Sequence, residues 1–179
     1  MSETIGDLLK QAVQERRENR LADARIHIIQ AVDLCRQSAP PVDLAGALTR
    51  LGQIERDLEN LDAARGHYEE AASLYRAEGD ALRLAHTVRH VGDVLREQRR
   101  PDLAEACYQE ALQIYRGDPQ SPPLDLANAI RGLALLKDSA RDTEPARLLW
   151  AEARDLYAAV DVKAGVTECN SRLSLLAKT

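Results

Sequence analysis

Apolar residues return every three or four positions along most of this chain, which is the spacing of amphipathic helices and not of strands. Over residues 84–95, Leu84, Val88, Val91 and Leu95 form one stripe and leave His86, Arg89, Asp93 and Arg96 on the other side of the same helix. The pattern also repeats at longer range. Ile28–Arg36, Tyr68–Arg76, Tyr108–Arg116 and Trp150–Ala158 align without gaps and share Ala31, Ala71, Ala111 and Ala153. Four residues before each segment stands another alanine, Ala24, Ala64, Ala104 and Ala146, at spacings of 40, 40 and 42 residues. A second set of matches precedes these: Leu48, Leu51 and Gly52, then Val88, Val91 and Gly92, then Ile130, Leu133 and Ala134, and more weakly Leu8, Gln11 and Ala12.

Helix breakers fall between the repeated cores. Ser38 to Pro41, Gly79-Asp80 and Gly117 to Pro123 separate one unit from the next. Asp62, Pro101-Asp102 and Glu144-Pro145 stand where a second helix of each unit begins, since acidic residues and a first-turn proline suit a helix start. The pattern predicts an all-α array of four helix hairpins at about 2–39, 42–79, 81–117 and 124–160. A capping helix at about 163–178 carries Val166, Cys169, Leu173 and Leu176 at helical spacing, and residues 1–179 read as a single array. Recurrent alanines let paired helices approach closely, and the large residue between them (Ile28, Tyr68, Tyr108 or Trp150) fills the space beside them. Gly52, Gly92 and Ala134 do the same on the first helix, where glycine costs about 1 kcal/mol of helix propensity that only packing explains.

Composition supports an all-helical chain, since alanine and leucine dominate, phenylalanine is absent and aromatic residues make up 3%. The formal charge of -5 argues against nonspecific nucleic-acid binding, so no nucleic-acid partner is expected. No 18-residue apolar run or signal-type N-terminus predicts a membrane segment, and the expected location is cytoplasmic. Cys35, Cys107 and Cys169 lie far apart and are expected to be buried thiols.

The set Leu48, Leu51, Gly52, Ala64 and Tyr68, with its counterparts through Tyr108 and Trp150, resembles the tetratricopeptide repeat. The period of 40 to 42 residues resembles the long-repeat variety found in kinesin light chain. The resemblance implies a right-handed α-α superhelix whose first helices line a concave groove, and binding of peptides, helices or partner domains. On those helices lie Thr49, Arg50, Gln53 and Arg56, then His86, Arg89, His90, Asp93 and Arg96, then Asn128 and Arg131. They form a strip rich in Arg, His and amides in a protein that is acidic overall. The chaperone-tail-binding members of the family hold a carboxylate with a Lys, Asn and Arg clamp. Thr49, Gln53, His90, Asn128 and Gly132 do not rebuild it.

No phosphate loop, nucleophile elbow or calcium loop occurs, and no catalytic residues are expected. His86, His90 and Asp93, at i, i+4 and i+7, share a helix face in a spacing that metals accept, but Arg89 and Arg96 disfavour a dication, so neither metal nor cofactor is expected. Acidic stretches such as Glu55 to Glu59 read as solvated helix faces. The sequence therefore predicts a non-catalytic module that captures an acidic or amphipathic peptide or helix through groove arginines. A self-associating scaffold (a homo-oligomer) and a regulatory subunit that occludes a partner enzyme are the competing classes.

Overall fold

A computed structural model describes residues 4–178. Among them nine helices follow one another: α1 (Ile5–Arg17), α2 (Leu21–Ser38), α3 (Pro41–Asp57), α4 (Leu61–Glu78), α5 (Ala81–Glu97), α6 (Pro101–Gly117), α7 (Pro123–Ser139), α8 (Thr143–Ala159) and α9 (Lys163–Leu176). The residues cluster into two compact units, Met1–Thr87 and Val88–Thr179, with the division falling inside α5. No helix among the described residues is long and apolar enough to cross a membrane.

The helix ends show two kinds of punctuation. Between hairpins, proline opens α3 and α7 at the first turn, and Gly79, with φ at 73°, closes α4. Inside hairpins the left-handed residue is Asn19, Glu59, Arg99 or Arg141, with φ between 58° and 62°, and Asp161 follows suit before α9. In each of these turns the following amide closes back onto the helix, as in Asn60 N–H to the Glu55 carbonyl at 2.8 Å and Arg100 N–H to the Leu95 carbonyl at 2.9 Å. These are Schellman closures without the usual glycine. Sequence reading sees no glycine there and so gets no signal for the turn's conformation.

In unit 1, α1 packs on α2, α2 on α3 and α3 on α4, while in unit 2 α6 packs on α7, α7 on α8 and α8 on α9. The repeated alanines and the large residues between them are fully buried: Ala24, Ile28 and Ala31, then Ala64, Tyr68 and Ala71, and so on to Ala146, Trp150 and Ala153. Close approach is the reason. A Cβ at Gly52 would lie 2.9 Å from the Tyr68 ring, one at Gly132 would lie 2.4 Å from the Tyr108 ring, and one at Gly165 would lie 2.6 Å from the Tyr157 ring. Cys35 and Cys169 are buried as expected, whereas Cys107 is only half-buried.

The expectation of a solvated Glu55 is overturned, because this side chain is 1% exposed. Its carboxylate accepts from Arg25 Nε of α2 at 2.7 Å and from Asn60 Nδ2 at 2.8 Å. One repeat earlier, Glu15 is buried in the same way and meets His27 Nδ1 at 2.7 Å and Arg20 Nη1 at 3.2 Å. A buried carboxylate is tolerable only when paired and hydrogen-bonded. In unit 2 the contact equivalent to Arg25 with Glu55 is made by Glu105 of α6 and Lys137 of α7, at 2.7 Å, with the charges exchanged.

Candidate functional site

An open groove of about 640 Å³ runs across unit 1, formed by α1, α3, the start of α5 and Tyr75 of α4. Its apolar lining comes from Ile5, Leu9, Ala39 and Val42, and its polar lining includes Asp43, Thr49, Arg50, Gln53, Arg83 and His86. A volume in the range of about 300–1,000 Å³ suits a small ligand or a short peptide segment. Thr49, Arg50, Gln53 and His86 of the expected strip line this groove, and Arg56 lies on α3 outside its lining.

The chemistry of this groove follows from how each polar side chain is held. Arg50 is exposed, and its Nη1 donates to the Gly46 carbonyl of its own helix at 2.9 Å. Arg83 is also exposed, in an i, i+3 pair with Asp80 at 3.3 Å. Thr49 is buried, contrary to its expected place on an open face, and its hydroxyl donates to the Ala45 carbonyl at 2.8 Å. Tyr75 of α4 stands with it in the same lining. Burial pushes the Tyr75 hydroxyl above its ordinary pKa, so it is protonated at neutral pH. A protonated phenol has one O–H to donate and lone pairs to accept with, so Tyr75 Oη can meet either end of a polar group in the groove. Gly46 lies beside this hydroxyl: a Cβ there would sit 3.6 Å from Tyr75 Oη and 3.4 Å from Arg50 Nη1, with nothing else close.

The strip residues from Arg89 onward belong to unit 2, where Arg89 and Asp93 are buried and Arg131 is paired. Arg89, expected on an exposed face, is 7% exposed. Its Nη1 donates to Asp93 Oδ2 at 2.9 Å, and Asp93 Oδ1 accepts from the Tyr108 hydroxyl at 2.8 Å. Arg89 Nη2 stands 2.9 Å from His90 Nε2, and because guanidinium only donates, that nitrogen accepts and the ring proton sits on Nδ1, 3.5 Å from Asp93 Oδ2. Arg96 Nε approaches the Tyr108 hydroxyl at 3.4 Å. On α7, Arg131 donates from Nε and Nη2 to the two carboxylate oxygens of Glu168 of α9, at 2.6 and 2.8 Å, and Asn128 Oδ1 accepts from the Tyr157 hydroxyl at 2.8 Å. Burial pushes the Tyr157 hydroxyl up to about 12, which keeps it a donor at neutral pH. A stripe drawn on one helix misses this inversion because the covering groups come from other helices.

Sequence reading also missed Gly46, Tyr75 and Arg83. The tyrosines at 75, 115 and 157 do recur with the repeat, and the series Gly46, His86, Asn128 follows the same spacing. That recurrence was the available signal. It names equivalent positions without saying which of them is left open.

Hairpin after hairpin with small residues at the crossings defines a helical-repeat protein. The family model described as tetratricopeptide repeat matches residues 43–117. Among solved structures, it is similar to BtubC (BKLC) from P. vanneervenii, with a TM-score of 0.78 at 21% identity over 88% of this chain and 64% of that one. It is also similar to aspartyl phosphate phosphatase F from Bacillus subtilis, with a TM-score of 0.87 at 14% identity over 98% of this chain and 46% of that one. The chain thus spans less than two thirds of either protein, and at these identities the likeness is one of fold. No curated protein matches it in sequence.

Proposed function

We propose that this chain is a non-catalytic binding module that holds an acidic peptide segment of a protein partner in the unit-1 groove. Tetratricopeptide repeats are protein-interaction folds, which sets the class of function. The observation that carries the finer reading is the state of Arg50, an exposed cation bonded to no more than its own helix. Beside it stand Arg83 and His86, against one lining carboxylate, Asp43. An incoming carboxylate gains charge-assisted hydrogen bonds from Arg50, while Ile5, Leu9 and Val42 take apolar side chains. Thr49 and Gln53 supply neutral polar contacts.

Fluorescence anisotropy with a labelled octapeptide of alternating Leu and Asp, and its Leu and Lys counterpart, tests this reading. The acidic probe binds, more weakly as salt is added, and the basic one does not. Arg50→Glu reduces binding of the acidic probe at least tenfold and leaves the far-UV circular dichroism unchanged. Equal binding of both probes, or an Arg50→Glu variant that binds like the parent, overturns the proposal.

A further inference from the structure

The two units handle one repeat position differently. Gly46 and Asn128 are equivalent, 82 residues apart as are Tyr75 and Tyr157. In unit 2 the place between them holds the carboxamide of Asn128, bonded to the Tyr157 hydroxyl at 2.8 Å. In unit 1 the tyrosine is present and buried, but the carboxamide is missing, and the space above Gly46 opens into the groove.

The glycine itself is not explained by packing. Gly52, Gly132 and Gly165 face rings at 2.9 Å or less from where a Cβ would stand, so a side chain there collides. A Cβ at Gly46 meets its neighbours at ordinary contact distance, and the nearer one is the end of a flexible arginine. A mid-helix glycine forgoes helix propensity, and here the fold gains no close approach in return. The groove gains clearance over bare helix backbone.

We infer that Gly46 and Tyr75 form a seat for a peptide group of the bound segment, which occupies in unit 1 the place that the Asn128 carboxamide occupies in unit 2. An amide suits the seat chemically. Tyr75 Oη can donate to the carbonyl of an incoming amide as Tyr157 donates to Asn128 Oδ1, and the Arg50 guanidinium beside it can donate to the same carbonyl or the next. The occupant is an extended segment, since a helix has its peptide groups already paired with one another in mid-length. Gly46 is therefore a specificity-determining residue. The inference rests on the groove reading above and goes further in naming what is recognised at its floor.

Self-occupation is the test. Gly46→Asn installs in unit 1 the side chain that unit 2 carries, so it fills the seat from within. The full chain with this change binds the Leu and Asp octapeptide at least tenfold more weakly, while its melting temperature is equal to or above the parent's. Gly46→Ala, with one added carbon at ordinary contact distance, gives a smaller loss of binding and a higher melting temperature. Gly66→Asn, at a helical glycine of α4 with open space around it, leaves binding unchanged. Parent-like binding by Gly46→Asn overturns the seat while leaving Arg50's role standing. A lower melting temperature for Gly46→Ala makes the glycine a packing residue and overturns it too. A parent chain that ignores the acidic probe removes the groove reading and this inference together.

Discussion

Unit 1 presents Gly46 beside a buried tyrosine and an exposed Arg50 with no carboxylate partner, whereas unit 2 answers each of these features from within. Asn128 bonds the equivalent Tyr157, Glu168 grips Arg131, and Asp93 takes Arg89. The same repeat scaffold thus leaves an open groove in one half and pairs the corresponding polar groups with one another in the other. Periodicity fixes where side chains stand on the repeat. Their availability depends on whether a neighbouring helix supplies the opposite charge or the missing amide.

The largest effect that this contrast predicts is at the two arginines. Arg89→Ala strips the charged partner from Asp93, which is itself buried and would retain the Tyr108 hydroxyl as donor. Breaking a buried ion pair typically costs about 3 kcal/mol or more. Urea unfolding is expected to show a loss of that size for Arg89→Ala, against a change within about 0.5 kcal/mol for Arg50→Ala, an exposed substitution. Similar small losses at both sites would mean that the unit-2 network is no more than a polar surface, and that the contrast between the units is void.

That arginine pair also marks what was legible in the sequence. The 40- and 42-residue spacings of the alanines and aromatics carried the helix hairpins, because close packing demands small residues at fixed places and leaves a visible trace. Periodicity placed Thr49, Gln53 and His86 off the apolar stripes of their helices, and only the family resemblance implied that they share a wall. Burial of Arg89, Asp93 and Glu55 was not legible. Each is covered by a group that is distant in sequence, such as Tyr108 over Asp93 or Arg25 over Glu55. A polar residue's pattern on one helix looks the same whether water or another side chain faces it. The left-handed Glu59, Arg99 and Arg141 were hidden for a different reason, since their turns close through backbone bonds that non-glycine residues can accept at a cost.

Glycine gives the next contrast. Gly132→Ala drives a methyl group against the Tyr108 ring between packed helices, and overpacking of this kind typically costs about 1–3 kcal/mol. Gly46→Ala meets no such obstacle and gains roughly 0.5–1 kcal/mol from helix propensity. Thermal unfolding of the two variants should therefore move in opposite directions. If both destabilise, Gly46 is held by packing like the others, and the clearance above it has a structural cause.

The smallest effect separates the two inter-repeat ion pairs, which occupy one repeat position with opposite polarity. In unit 1 the acid is the buried partner: Glu55 is covered, while the Arg25 side chain is about half exposed at 46%. Arg25→Ala leaves the carboxylate buried with Asn60 as its remaining side-chain donor, and water can reach it only where the arginine stood. We expect a loss of about 1–2 kcal/mol, below the full value of a hydrogen bond to a charged group because the removed partner was partly solvated. In unit 2, Glu105→Ala releases Lys137, whose side chain is 23% exposed and whose flexible stem can carry its ammonium into water or toward Asp142, 3.9 Å away. That loss should stay below about 0.5 kcal/mol. The reciprocal changes sharpen the argument, because Glu55→Gln should be nearly as costly as Arg25→Ala, whereas Lys137→Met should cost nothing measurable. A rank order reversed in denaturant titrations would show that depth of burial does not govern the stability of this junction.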